Sequence, residues 1–180
     1  PRSTSSAASD VYKRQEVDER TFNLDIEDVK NRLTPKTKGI IATSLYGQCA
    51  SFNEINDFAK NNNLFVLEDG AQSFGATMYK GKSCSLTDIA ATSFFPTKPL
   101  GCYGDGGAIF TNDDELGLSA RQISSHGQAQ KYEHIRLGVN SRLDTIQAAI
   151  LLEKLKLLIP RLVVLLSILV LIKFQQIKGI

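Results

Sequence analysis

The chain has 180 residues, enough for one domain with a substantial core but not for two large ones. Charged residues make up 22% and the net charge is +2, which leaves no electrostatic footprint for nucleic acid or an anionic membrane. Cys49, Cys84 and Cys102 form no CxxC pair, and His126 and His134 have no ligand partner at metal spacing, so the pattern fits a reduced, cytoplasmic compartment without disulfide framework or metal site.

In chain order, Ser5 to Gln15 (SSAASDVYKRQ) matches residue for residue the translation of a transposase-type sequencing adapter. Read otherwise, it is a Ser/Ala-rich disordered terminus, and on either reading residues 1–15 take no part in the fold. From Thr37 short apolar runs alternate with helical stretches. Lys38 to Leu45 (KGIIATSL) predicts a strand ending at Tyr46-Gly47. Ser51-Phe52-Asn53-Glu54 has the form of a capping box, opening a helix with Ile55, Phe58 and Ala59 on one face and Asn61 to Asn63 at its end. Leu64 to Leu67 (LFVL) predicts a buried strand closing on Glu68-Asp69-Gly70, and Ile89 to Phe95 (IAATSFF) another stopped by Pro96. Gly107 to Thr111 predicts a fourth strand, and Asp113-Asp114-Glu115 supply the acidic first turn of a helix reaching about Ser125. Ser141 and Asp144 suggest the cap of a long helix from Asp144 to about Leu158. The alternation implies an α/β fold, a mostly parallel sheet with flanking helices.

Leu162 to Ile172 (LVVLLSILVLI) is almost wholly apolar, too short for the roughly 20 residues of a membrane helix. A shifted reading frame near the end of an incomplete gene fragment accounts for it better than a buried segment or edge strand. The chain thus divides into an adapter-like start (1–15), a folded core (16–158) and an apolar tail (159–180).

In open α/β sheets ligands sit beyond the carboxyl ends of the strands, which points to Tyr46-Gly47, Glu68-Asp69-Gly70 and Ser93 to Lys98. Pyridoxal phosphate needs a lysine to hold it and an acid against its pyridine nitrogen, and Lys98 and Asp69 stand where such a pair would. Pro96 and Pro99 stiffen the turn that presents Lys98, Gly104-Asp105-Gly106-Gly107 brings tight backbone near it, and Ser93 suits a phosphate oxygen. Singly, each residue has a plainer reading: Lys98 as a solvated turn residue, Asp69 as a turn or cap, Ser93 as a satisfied hydroxyl. Their order along the chain, each at a strand end, is what favours the chemical one. A Rossmann nucleotide site fits poorly, because Gly101 to Gly107 lacks the G-x-G-x-x-G register and leads into a strand.

Glu68-Asp69-Gly70-Ala71-Gln72-Ser73-Phe74-Gly75-Ala76, then Ser93-Phe94-Phe95-Pro96-Thr97-Lys98-Pro99-Leu100-Gly101 and Gly104-Asp105-Gly106-Gly107-Ala108, resemble the central signature of the DegT/StrS sugar aminotransferases. Gly138 to Asp144, leading into Gln147-Ala148-Ala149-Ile150, resembles that family's next block, so the resemblance runs from roughly Thr21 to Leu158. It implies a fragment of the large domain of a fold-type I aminotransferase, an enzyme that uses pyridoxal 5'-phosphate and is a homodimer at full length. Lys98 would be the Schiff-base lysine, Asp69 the partner of the pyridine nitrogen, Gln72 a neighbour of the ring oxygen and Ser93 a phosphate ligand. Asn140 would reach the partner subunit's cofactor, or else is an ordinary loop residue.

The resemblance is nearest to members that aminate a 3-keto uronic acid on a nucleotide, with glutamate as amino donor, for cell-surface polysaccharide such as O-antigen. Arg142 would clamp the uronate bidentately, or form a helix-terminal salt bridge instead, and Tyr132 and His134 would line the sugar pocket. A dehydratase branch carries histidine at the lysine position, and Lys98 argues against it. From another class, a non-catalytic α/β ligand-binding or regulatory protein retaining the fold is the alternative. The family's N-terminal Gly-Thr phosphate loop and its C-terminal small domain have no counterpart here, so the chain reads as a fragment without expected activity of its own.

Overall fold

The computed structural model describes residues 15–78, 81–158 and 160; the expectations for 1–14 and for the apolar run 162–172 lie outside the described residues. Helix α1 (Ile26–Arg32) leads into β1 (Gly39–Thr43), a 3-10 turn (Leu45–Gly47), α2 (Phe52–Asn61) and β2 (Phe65–Asp69). The short strands β3 (Thr77–Met78) and β4 (Gly81–Lys82) precede β5 (Ile89–Ser93) and β6 (Gly107–Phe110). Helix α3 (Asp114–Ser124), a hairpin of β7 (Gln128–Gln130) and β8 (Glu133–His134), and a helix α4 over 145–158 follow.

Four strands form the central sheet in the order β1-β2-β5-β6. The first three run parallel and β6 returns antiparallel, so the predicted α/β class and mainly parallel sheet are observed. Apolar side chains alternate along each strand and split the sheet into two unlike faces. On one face Ile40, Ala42 and Val66 pack against Phe52, Ile55 and Ala59 of α2 and Val29 of α1, forming the main core. The other face is open: Ile41 and Phe65 are each 50% exposed, and Ile109 on β6 is 57% exposed.

The two helix starts differ in how they are capped. Asp113, expected within the acidic first turn of α3, stands one residue before the helix and caps it, its Oδ1 accepting from Glu115 N (2.8 Å) and Leu116 N (2.9 Å). Ser51 precedes α2 but makes no side-chain cap bond. Its ψ of 60° falls short of the extended backbone that Asp25 and Asp113 adopt (ψ 117° and 116°), and the capping box does not close. Helix α1, capped by Asp25 accepting from Glu27 N (2.9 Å), and the two small hairpins were not anticipated.

Candidate active site

The two adjacent acids at the end of β2 go to opposite faces of the sheet. Glu68 points into the α2 side and is fully buried. Its Oε1 accepts from Ser44 Oγ (3.0 Å) and Ser83 Oγ (2.7 Å), and its Oε2 from Cys84 N (2.8 Å). Ser83 Oγ also pairs with Ser73 Oγ at 2.7 Å. This box of hydrogen bonds ties β2 to the loops after β1 and β4 and fixes the chain one residue before Asp69. Burial pushes the Cys84 thiol above its ordinary value, and the nearby Glu68 and Asp69 carboxylates push the same way against an opposing bond to Ser83.

Asp69, by alternation, faces the open side. In register it lies between Thr43 of β1 and Ala91 of β5, and Ser93, two residues beyond Ala91, shares its face and its end of the sheet. Asp69 Oδ1 accepts from Ala71 N (3.0 Å), which aims the carboxylate along the turn; among the described residues Oδ2 has no partner. Gln72, in the same turn, accepts from Tyr46 N through Oε1 (3.1 Å) and so joins the loops after β1 and β2.

Lys98 sits in the loop that leaves β5 at this end. Phe94 N donates to Gly106 O (2.7 Å), Cys102 N to Phe94 O (2.8 Å) and Lys98 N to Phe95 O (2.9 Å), folding 94–106 into a tight reversal. Gly101 is required by close approach, since a Cβ there would stand 2.6 Å from Pro96 O and 2.8 Å from Phe95 O. Gly107 is bound likewise, with Thr92 O at 2.8 Å from its would-be Cβ. The Phe74 ring meets Phe94 edge-on at 6.0 Å and Phe110 at 6.1 Å, linking the Asp69 turn to the lysine loop. Among the described residues Lys98 Nζ has neither a hydrogen-bond nor an ion-pair partner, so Lys98 and Asp69 do not form the direct salt bridge that a purely structural role would favour.

The structure therefore gathers Asp69, Gln72, Ser93 and Lys98 at the carboxyl ends of β2 and β5. Tyr132, His134, Asn140 and Arg142 stand on the exposed stretch after α3, and no hydrogen bond among the described residues joins them to the first four. His134 Nδ1 lies 2.8 Å from His126 O, and Arg142 Nε donates to Asn140 Oδ1 at 2.9 Å. Among the described residues the helix-terminal salt bridge considered for Arg142 does not form. Arg142 does line a cavity of about 840 Å3 with Ala91, Gly107 and Arg121, beside the sheet rather than at Lys98. Glu68 escaped the sequence reading because its partners lie 15 to 24 residues away, a distance at which no spacing rule operates.

The donor set fits pyridoxal phosphate. An unpaired primary amine, a carboxylate with one unsatisfied oxygen on the same sheet end, and a hydroxyl on the shared face are what the cofactor's carbonyl carbon, ring nitrogen and phosphate require.

Comparison with known proteins agrees with this chemistry. The DegT/DnrJ/EryC1/StrS aminotransferase family matches residues 11–162. A UDP-2-acetamido-2-deoxy-3-oxo-D-glucuronate aminotransferase of Pseudomonas aeruginosa is 63% identical over 143 residues, covering 79% of this chain and 40% of that protein. The chain thus spans about two fifths of the length of the curated relatives it matches. Among solved structures, a DegT DnrJ EryC1 StrS aminotransferase from Brucella abortus superposes with a TM-score of 0.74 at 45% identity, over 80% of this chain and 41% of that one. NtdA from Bacillus subtilis, solved with bound cofactor PMP, gives 0.73 at 36% identity, over 79% and 33%. Matched by the family model over most of its length and by a relative 63% identical to it, the chain belongs to the DegT/DnrJ/EryC1/StrS aminotransferase family, a family of pyridoxal-phosphate enzymes.

Proposed function

We propose that the full-length protein containing this chain transfers an amino group, from glutamate, to the 3-keto carbon of a UDP-linked 2-acetamido uronic acid for cell-surface polysaccharide. The observation that carries the reading is the Lys98 amine, without a partner among the described residues, and the Asp69 carboxylate, with one oxygen free among them, on loops at one end of one sheet. Pyridoxal phosphate, when bound, supplies an electron sink for negative charge at the substrate carbon. Lys98 Nζ holds the cofactor and then moves the proton at that carbon. Asp69 Oδ2 keeps a proton on the ring nitrogen through a charge-assisted hydrogen bond, about twice as strong as a neutral one. Ser93 Oγ donates to the phosphate, and Gln72, held by Tyr46 N in the turn it shares with Asp69, lies near the ring oxygen.

The substrate assignment follows the uronate specificity named for the Pseudomonas relative. Arg142, whose guanidinium can bind a carboxylate through two parallel bonds, is the group assigned to the uronate, with Tyr132 and His134 lining the sugar pocket. Asn140 reaches the cofactor phosphate of a second subunit in a cytoplasmic homodimer. No helix among the described residues is long and apolar enough to cross a membrane.

Borohydride reduction of the full-length protein with its cofactor, followed by peptide mass spectrometry, tests the assignment. The adduct is expected on the peptide bearing Lys98. Lys98→Ala should lose it together with glutamate-dependent amination of the UDP-3-keto uronate; parental turnover by Lys98→Ala would refute the reading.

A further inference from the structure

Helix α4 presents Gln147, Leu151, Lys154 and Leu158 at steps of four, three and four residues, one stripe along one face. Leu151 is buried with Phe94, Leu100 and Cys102. One turn before it, Gln147 Oε1 accepts from Tyr103 N (2.8 Å). One turn after it, Lys154 Nζ donates to Gly101 O (2.6 Å) and stands 4.3 Å from the centre of the Tyr103 ring. Every one of these contacts falls on the chain just before or after Lys98, and two of them land on its backbone.

We infer that Gln147 and Lys154 are positioning residues that set the orientation of the Lys98 loop, an inference that rests on Lys98 being the cofactor lysine. The loop is also held by its own backbone bonds, by Cys102 Sγ donating to Phe94 O (3.0 Å) and Gly104 O (3.1 Å), and by Phe74 and Leu151 packed against it. A bond from an ammonium to a half-buried carbonyl is stronger than those neutral ones and has a direction. Gly101 O belongs to a residue with no room for even a Cβ against Pro96 O and Phe95 O, so the Lys154 bond acts on a closely fitted part of the turn that carries Lys98. The side chain of Lys154 is long enough to reach from the helix, and its charge serves both Gly101 O and the face of Tyr103. Losing the bond lets the turn relax toward solvent and moves the Lys98 amine. A misplacement of about 1 Å can cost on the order of a hundredfold in rate.

The test uses the full-length protein with its cofactor and two readouts: the pH midpoint of the bound cofactor's visible absorbance, and kcat against KM for the nucleotide sugar. Lys154→Met should shift the midpoint by at least about half a pH unit and lower kcat roughly 10- to 100-fold with KM nearly unchanged. Lys154→Arg, which can reach the same carbonyl, should restore both. Gln147→Leu should move both readouts in the same direction, and it decides the matter if Lys154→Met does not fold. Variants that lower the melting temperature but keep the parental midpoint and kcat would overturn the positioning role, as would a folded Lys154→Arg as impaired as Lys154→Met. Lys98→Ala separates the two readings. If it is inactive while Lys154→Met is unaltered, the positioning role alone fails; if it retains the titrating band and turnover, the lysine assignment fails and this inference with it.

Discussion

Replacing Glu68 tests whether the buried box behind Asp69 holds the site up. The side chain is fully buried and accepts three hydrogen bonds, from Ser44 Oγ, Ser83 Oγ and Cys84 N. Glu68→Ala leaves these donors facing a void, at roughly 1–3 kcal/mol for each one that stays unsatisfied. Ser83 can fall back on Ser73, 2.7 Å away, whereas the Cys84 amide is fixed in the backbone. With two donors left unsatisfied, a loss of about 2–6 kcal/mol follows, a large part of the 5–15 kcal/mol that typically separates folded from unfolded chains. Glu68→Gln keeps the volume and one oxygen. Turned so that this oxygen meets Cys84 N, its amide can donate to the two hydroxyls, and the loss should be only about 1–2 kcal/mol. Urea denaturation of the full-length protein and both variants reads the difference, with cofactor content measured alongside. An alanine variant within about 1 kcal/mol of the parent would refute the reasoning, since the donors would then have found water or other partners.

Other expectations follow from the same geometry. Asp69→Asn should retain cofactor but transaminate at least roughly a hundredfold more slowly, because a neutral amide gives up the charge-assisted bond to the ring nitrogen; single-turnover kinetics with glutamate would show it. Gly101→Ala should destabilise the lysine loop by about 1–3 kcal/mol, the new methyl meeting backbone carbonyls on a turn that cannot yield, and thermal unfolding would report this. Cys84 should resist iodoacetamide near neutral pH, because burial raises its thiol. A thiol raised in the folded state contributes stability that is intact below the unfolded value of about 8.5 and is lost as pH rises through the folded one. Cys84→Ser should flatten that alkaline limb.

The strands and the loops that end them were readable because each carries local signals: β-rich runs such as GIIAT and FVL, stopped by glycine, proline or acids. The start of α3 was readable from its run of acids, although the role of Asp113 as the cap rather than a first-turn residue was not. Ser51 shows the limit, since its residue pattern is right but its backbone is turned away from the helix by Ala50, whose N–H is taken by Ser44 Oγ and whose carbonyl accepts from Phe52 N. Strands of two residues, such as β3 and β8, are too short to show any period. Glu68, Gln147 and Lys154 were invisible because each acts on chain 15 to 53 residues away. The positions of Asp69 and Lys98 at one end of the sheet were foreseen, since order along strands fixes which end a loop occupies.

Glu68 and Asp69 are neighbours with opposite outlooks, one facing the serine box and the other the open face. Deleting or inserting a single residue between Phe65 and Asp69 would exchange them, sending the shorter acid into a box sized for the longer one and the longer acid toward the cofactor's place. Substitutions in this strand can be graded by size and polarity, but a change in its length has no mild form. Among natural relatives the five residues of β2 should therefore keep a constant count.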